Sequence, residues 1–221
     1  MDLFGQTGLI LLLLGLFFSS FLIALSGALM PGPLLSATLA QSGRHGAWTG
    51  PRLILGHGIL EALLILALFN GLAPLLTTPA AFSSIALAGS VILLWMGGAM
   101  LFGLGRLELD LSCGPAVSSP WGLPVSGALL SLANPYWSIW WATIGLGYIL
   151  QASEAGWRGL VAFFTGHLLA DLLWYSLVSY SMFKGQRFLS LEAYRAMVGT
   201  LGLFLIGFAG FFAFKGLAPI L

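Results

Sequence analysis

Hydrophobic residues occur in long runs along this chain, and the polar positions between them are few and clustered. A run of about 20 apolar residues is long enough for a helix to cross the hydrocarbon core of a bilayer. The pattern therefore predicts an all-α polytopic membrane protein with six transmembrane helices. Their approximate ranges are 8–30, 53–73, 80–104, 121–150, 160–181 and 196–216.

Three breaks organise these spans. The sequence MPGP at 30–33 follows the first span, and Asn134-Pro135 interrupts the fourth. Proline removes a backbone donor and disfavours a continuous helix, so both sites free backbone polar groups. The polar segment 105–120 is predicted to connect two halves of one transmembrane domain that covers 1–221, with the first half at about 8–104 and the second at about 121–216.

The two halves resemble each other. A shift of 110 residues superposes Gly56-His57 on Gly166-His167 and Glu61 on Asp171. The same shift matches the third helices, as in Leu93 with Leu203 and Phe102 with Phe212, whereas SGAL at 26–29 matches SGAL at 126–129 with a shift of 100. Two units of three helices enter the membrane from opposite sides because three is odd. The sequence thus predicts two inverted three-helix repeats, an architecture common among secondary transporters, whose substrate sites lie between the repeats.

Composition supports the membrane assignment and excludes other classes. Of the 221 residues, 59% are hydrophobic and only 7% are charged, whereas a soluble domain has about 25% charged residues. The net charge of +1 offers no basic surface for nucleic acid. The one cysteine, Cys113, rules out an intrachain disulfide or a thiolate cage, and no cofactor is expected. The apolar run from Leu9 exceeds a signal-peptide core, so we interpret it as a retained first helix.

Lysine and arginine predict the orientation, because cytoplasmic loops carry an excess of them. If both termini lie on the outer face, the inward segments hold six such residues and the outward segments only two. The inward residues are Arg44, Arg52, Arg106, Lys184, Arg187 and Arg195, and the outward ones are Arg158 and Lys215. We therefore expect a multi-pass protein of the cytoplasmic membrane with its termini outside.

Two histidine–carboxylate pairs are the strongest candidates for chemistry. His57 precedes Glu61, and His167 precedes Asp171, by four residues, a spacing that places both members on one helix face. An ionised carboxylate at the centre of a membrane helix costs about 2.5–3.5 kcal/mol on insertion scales. The duplicated pairs favour a proton relay or cation site, with one histidine on the inner and one on the outer side of the acids. The alternative is that they only tie two helices together by hydrogen bonds.

The helix breaks are the second group of candidate site residues. Freed backbone is tolerated at membrane depth where protein buries it or water reaches it. We therefore expect Pro31, Gly32, Pro33, Asn134 and Pro135 to shape a substrate cavity, with an ordinary kink as the alternative. The tryptophans are expected to anchor interfaces or fill packing gaps rather than to contact a substrate; those considered are Trp137, Trp140, Trp141 and Trp174.

Three stretches carry a family resemblance. ALMPGPLLSATLAQ at 28–41, SLANPYWSIWWATIG at 131–145 and DLLWYSLVSY at 171–180 resemble, in this order, the lysine-exporter (LysE-type) amino-acid efflux carriers. The resemblance implies a secondary exporter that moves amino acids outward with an ion gradient. It also implies roles for Pro31, Gly32, Pro33, Asn134, Pro135 and Asp171. The chain departs from the family pattern at Leu34 and Tyr136, where family members commonly have Asn or Asp and Lys, respectively.

The sequence therefore predicts an exporter rather than an enzyme, and it contains no P-loop for ATP. The expected partners are an amino acid or analogue, a coupling ion and the lipid bilayer, without nucleic acid; a homo-oligomer is compatible with the pattern. The second hypothesis is a divalent-cation exporter whose ligands are His57, Glu61, His167 and Asp171. A membrane scaffold or an intramembrane enzyme is the third.

Overall fold

The described part of the chain is helical almost throughout and contains no strand. The computed structural model describes residues 3–72, 78–106, 121–185, 188 and 190–217. Its helices are α1 (Leu3–Ala28), α2 (Pro33–His45), α3 (Thr49–Ala67), α4 (Pro79–Gly103), α5 (Gly122–Leu132), α6 (Pro135–Trp140), α7 (Leu146–Ser153), α8 (Gly156–Gly185) and α9 (Leu191–Leu217). A π-helical segment, Trp141–Gly145, joins α6 to α7, and another, Leu68–Leu72, follows α3.

Five described helices are long and apolar enough to cross a membrane, namely those that include α1, α3, α4, α8 and α9. The sixth predicted span is the interrupted segment α5–α7, which contains the shorter apolar helix Gly122–Leu132. The all-α polytopic membrane class is therefore confirmed. Most of the predicted connector, with Cys113, lies outside the described residues, as does Arg187.

Proline and small polar residues determine where the broken helices begin. Gly32 is the extended N-cap residue of α2, and Pro33 is its first helical residue. Asn134 caps α6, because its side-chain oxygen accepts the Tyr136 N–H at 3.1 Å. Proline fits the first helical turn because it lacks only an N–H that would remain unpaired there. The predicted breaks thus occur where expected, but the helix α2 after the first break was not part of the prediction.

The helices pack symmetrically, because each contact between the two halves has an equivalent in which the halves have exchanged roles. Helix α1 packs on α8, and α3 packs on α5, so each half's first helix contacts the other half's central helix. The central helices α3 and α8 contact each other, and the third helices α4 and α9 form an extensive pair. This pairing is the one expected for the two inverted repeats predicted from the sequence.

Two close crossings make the correspondence between the halves specific. At the α3–α5 crossing, a Cβ on Gly56 would overlap the Pro124 carbonyl, and one on Gly127 would overlap the Leu53 carbonyl. At the α1–α8 crossing, a Cβ on Gly166 would overlap the Phe17 carbonyl. At the same crossing Ser20 takes the place that Gly127 has in the α3–α5 crossing, and its Oγ donates a hydrogen bond to the Phe163 carbonyl at 2.9 Å. Helix α3 therefore corresponds to α8 at an offset of 110, as in Leu53 and Phe163.

The registers of the other helices differ from the sequence matches. Phe17 corresponds to Pro124, and Ser20 to Gly127, so the offset of the first helices is 107 rather than the 100 suggested by SGAL. In the third helices, Leu93 is 1% exposed whereas Leu203 is 63% exposed, which argues against the offset of 110. The buried residues of α4 and α9 instead match at an offset of 112 residues, as in Ala86 with Val198, Leu93 with Leu205, and Gly97 with Ala209.

Candidate functional site

Four ionisable side chains meet at the contact between α3 and α8, and we call them the quartet: His57, Glu61, His167 and Asp171. His57 Nε2 lies 3.0 Å from Glu61 Oε1 and 3.5 Å from Asp171 Oδ2. His167 Nε2 lies 3.2 Å from Glu61 Oε1 and 3.5 Å from Asp171 Oδ2. All four residues are buried. Each histidine thus contacts its own helix's acid and that of the other helix, and the placement of one histidine on the inner and one on the outer side of the acids stays a prediction.

Hydrogen bonding determines where His57 carries a proton. Ser131 Oγ donates to the Gly127 carbonyl at 2.8 Å, so its one proton is in use. Its contact of 2.7 Å with His57 Nδ1 therefore requires Nδ1–H to donate to Ser131 Oγ. The Nε2 atom then faces both carboxylates, and that contact is attractive only when a proton or another cation lies between them. The geometry makes His57 Nε2 a position for exchangeable positive charge.

Two tryptophans of the interrupted span hold Glu61. The Nε1–H groups of Trp137 and Trp141 donate to Glu61 Oε1 at 3.1 and 3.0 Å. An indole N–H only donates, so this oxygen only accepts. The other oxygen, Oε2, is buried and has no hydrogen-bond partner among the described residues.

The second half of the quartet has fewer partners. Asp171 Oδ2 lies near both histidines but makes no hydrogen bond within the described chain. His167 Nδ1 is likewise buried and unpartnered there, as is Trp140 Nε1. The His167 ring packs against the Trp140, Trp141 and Phe163 rings at centroid distances of 5.0, 5.3 and 5.9 Å. Hydrogen bonds therefore fix the side chain of Glu61, whereas buried polar atoms of Asp171 and His167 remain without a hydrogen-bond partner in the described chain.

A cavity of about 50 Å³ adjoins the quartet and reaches both helix breaks. This volume holds a few water molecules, so a solute of amino-acid size enters only if helices move. Its other lining residues are Ala24, Gly27, Ala28, Met30, Gly32, Leu34, Ser131, Asn134, Tyr136, Trp137, Trp140, Trp141 and Tyr175. The cavity thus combines ionisable side chains, indole rings and the ends of two half-helices.

The predicted site residues divide into three groups. The quartet, Gly32 and Asn134 all line this cavity. Pro31 and Pro33 line a small adjoining cavity with Asn134, so the two helix breaks lie next to each other. Pro135 packs against Gly89 and lines a separate, apolar groove of about 620 Å³ between α3 and α4. The structure therefore does not bring Pro135 into the central cavity, and the functional assignment of the others stays a prediction.

Sequence reasoning missed the residues that hold the quartet in place. Trp137, Trp140 and Trp141 line the cavity, and two of them bind Glu61, although packing roles were expected for them. The spacing of Trp137 and Trp141, one helical turn, was the available signal, because it puts two indole donors on one face. Ser131 and Tyr175 had no comparable signal.

The quartet also has the composition of a cation site. One ligand atom from each residue lies within 4.8 Å of all the others, and all four residues are buried. Two imidazoles and two carboxylates suit first-row transition metals such as zinc. The same geometry suits a proton or an organic ammonium group, so the donor set alone does not select among these cations.

Comparison with known proteins places the chain among transporters. The profile of the family described as LysE type translocators matches residues 25–216. A putative amino acid efflux protein of Bacillus subtilis (strain 168), YcgF, is 24% identical over 209 residues, with 94% of this chain and 100% of that protein covered. A leucine efflux protein of Klebsiella pneumoniae subsp. pneumoniae is 29% identical over 191 residues, with 82% and 86% covered.

A third relative has a different name. The chemotactic transduction protein ChpE of Pseudomonas aeruginosa is 29% identical over 209 residues, with 93% of this chain and 100% of that protein covered. No solved structure matches the chain significantly.

Proposed function

This chain belongs to the LysE-type translocators, and from that premise we propose that it is a secondary-active exporter of amino acids or similar small metabolites. The names of two relatives, an amino acid efflux protein and a leucine efflux protein, support this substrate class. The protein would work in the cytoplasmic membrane, with its termini on the outer face and the amino acid taken from the cytoplasm.

The observation that carries the proposal is the meeting of the quartet with both helix breaks at one cavity. Intramembrane ionisable groups are costly and typically mark ion or substrate pathways. Substrates of inverted-repeat transporters bind near the membrane centre, where discontinuous helices present unpaired backbone groups. Because both halves contribute one histidine and one acid, a change in their relative tilt would change access to this cavity.

We propose that a proton is the coupling ion and that it binds at His57 Nε2. The support is that Nδ1 already donates to Ser131, so Nε2 faces Glu61 and Asp171 favourably only with a positive charge between them. Other ionisable groups at the cavity are His167, Tyr136 and Tyr175. Release of this proton on one side would weaken the contact between α3 and α8 and so couple ion movement to helix movement.

Transport into inside-out membrane vesicles tests the proposal. Vesicles with this protein should accumulate labelled leucine or another amino acid when a pH gradient, acidic inside, is imposed, and collapse of the gradient should stop uptake. Glu61→Gln should abolish uptake, whereas Glu154→Gln, an exposed acid between α7 and α8, serves as the matched control. Folded protein that moves no amino acid under a proton or sodium gradient would overturn the proposal.

A divalent-metal exporter is the second candidate, because the four donor atoms lie close enough together to bind one ion. The same vesicles can be assayed with labelled zinc, nickel and manganese as cargo. Uptake of a metal without uptake of any amino acid, lost when His57 and His167 are both changed to alanine, would replace the first proposal by this one.

A further inference from the structure

Two buried carboxylate oxygens at the cavity have no hydrogen bond within the described chain, although both histidine Nε2 atoms lie 3.5 Å from Asp171 Oδ2. Glu61 is 1% exposed and Asp171 is 5% exposed, yet Glu61 Oε2 and Asp171 Oδ2 have no hydrogen-bond partner among the described residues. An unsatisfied buried polar group destabilises the protein, and more strongly when it is charged. A ligand that brings N–H donors and positive charge to these oxygens would relieve that destabilisation. An ammonium group has three such donors.

The correspondence between the halves shows that the donors around His57 and Glu61 have no counterparts around His167 and Asp171. Ser131, Trp137 and Trp141 make the hydrogen bonds to His57 and Glu61. At the offset of 107 found for α1 and α5, the counterpart of Ser131 is Ala24, which lines the same cavity. After the breaks, the N-cap residues Gly32 and Asn134 give an offset of 102, so the counterparts of Trp137 and Trp141 are Leu35 and Leu39. Since none has a side-chain hydrogen-bond donor, Asp171 has only the two histidines near its Oδ2, whereas Glu61 Oε1 also accepts two indole N–H groups.

Donors without acceptors lie at another part of the cavity wall. Gly32, the N-cap residue of α2, makes no side-chain capping bond, and it lines the cavity together with Leu34. The first N–H groups of a helix have no intrahelical acceptor and carry partial positive charge. The amide Nδ2 of Asn134 lies beside Gly32, since a Cβ there would be 3.4 Å away from it. The buried Trp140 Nε1 lies near Gly27 at the end of α1, lines the same cavity and also lacks an acceptor among the described residues.

The cavity lining thus includes acceptors with negative charge at the quartet and donors with positive partial charge at the helix breaks, and we call these two groups its walls. We propose that these walls recognise the two charged groups shared by all α-amino acids, the ammonium at Asp171 and Glu61 Oε2, and the carboxylate at the start of α2 beside Asn134. This inference rests on the proposed transport of amino acids and specifies which of their chemical groups the site binds. The site takes a zwitterion, so recognition requires both a free ammonium and a free carboxylate, whatever the side chain.

Competition binding to the purified, full-length protein tests each wall separately. Labelled leucine is displaced by unlabelled leucine, by leucinamide, which lacks the carboxylate, and by N-acetylleucine, which lacks the ammonium. Leucine should compete at least tenfold better than either analogue, because a hydrogen bond to a charged group contributes about 1.5–3 kcal/mol. If leucinamide competes as well as leucine, the carboxylate wall is wrong, and if N-acetylleucine does, the ammonium wall is wrong.

Asn134→Asp supplies the matching variant. Aspartate caps a helix as well as asparagine, so the bond to the Tyr136 N–H is kept, while the Nδ2 donor becomes a negatively charged oxygen. Leucine binding should weaken at least tenfold and leucinamide binding should change less than twofold. Equal weakening of both would overturn the carboxylate assignment. A protein that moves no amino acid in vesicles would instead refute the proposed function, so the two failures are distinguishable.

Discussion

The indole Nε1 of Trp141 donates a 3.0 Å hydrogen bond to Oε1 of Glu61, a residue 80 positions earlier in the chain. Trp141 is fully buried in the π-helical segment after α6, and Trp137, one turn before it, donates to the same oxygen. The interrupted span of the second half therefore fixes the acid of the first half. This relationship makes the tryptophans positioning residues for a charge that would otherwise be poorly solvated.

Removal of the two indole donors should impair transport. We expect the double variant Trp137→Phe and Trp141→Phe to lose about 100-fold or more of its transport rate, since each of the two bonds to a charged group contributes about 1.5–3 kcal/mol. Vesicle uptake of labelled leucine measures this. Trp95→Phe is the control, because Trp95 is 72% exposed. Full activity in the double variant would show that the bonds do not position Glu61 for transport.

Replacing the two acids by neutral amides of the same shape should impair transport without preventing folding. We expect Glu61→Gln and Asp171→Asn each to reduce uptake at least 100-fold, because the amides keep the shape but lose the charge that pairs with the histidines and the ammonium group. The melting temperature of the purified protein should fall by only a few degrees. If either variant transports at the normal rate, that acid has a structural role only.

Ser131 and Ser126 provide a matched pair on α5. Both hydroxyls donate to a carbonyl four residues earlier, Gly127 and Gly122 respectively, but the described contacts include one with a histidine for Ser131 alone. We expect Ser131→Ala to slow uptake about tenfold, since His57 Nδ1–H loses its acceptor, and Ser126→Ala to leave uptake unchanged. Similar effects in both variants would point to the helix backbone instead of His57.

The glycines at the α3–α5 crossing should be sensitive to a single methyl group. A Cβ at Gly56 or Gly127 would overlap a backbone carbonyl of the facing helix, whereas none of the described atoms lies within 4 Å of a Cβ at Gly207. We expect Gly56→Ala and Gly127→Ala to lower stability by about 1–3 kcal/mol or more, and Gly207→Ala to be neutral. Thermal unfolding in detergent measures the difference, and equal melting temperatures would contradict the crossing.

The single cysteine makes the predicted orientation testable. Cys113 lies in the segment that the lysine and arginine distribution places in the cytoplasm. A membrane-impermeant maleimide should therefore label it in inside-out vesicles and not in intact cells. In the double variant Cys113→Ser and Glu154→Cys the new thiol is on the opposite side, so labelling should occur in intact cells. The reverse pattern would mean that the termini face the cytoplasm.

The membrane class and the quartet were predictable because they depend on local patterns. Apolar length predicts spans, and charged residues inside those spans stand out against leucine and alanine. Spacing by four residues then placed each histidine beside its acid, and the offset of 110 paired α3 with α8. The contact between the two pairs follows from that symmetry.

The remaining features depend on tertiary contacts that an apolar sequence does not specify. Leucine- and glycine-rich helices align in several registers, which is why the offsets of 107 and 112 were missed. Tryptophan looks the same in sequence whether it fills a gap or donates to Glu61. Helix α2 escaped prediction because its segment is polar at Gln41, Ser42 and Arg44, although buried residues such as Leu34 and Thr38 begin it.

The crossing of α3 and α5 constrains how this protein can change shape. The two backbones meet at Gly56 and Gly127 with no side chain between them. The helices can therefore rotate about this point, whereas separating them would lose the backbone packing. The equivalent contact between α1 and α8 has the same property, with Ser20 adding a hydrogen bond. Both contacts lie between the two halves, so each can act as a pivot for movement of one half relative to the other. We expect the movements that admit a solute to the cavity to be rotations about these two contacts.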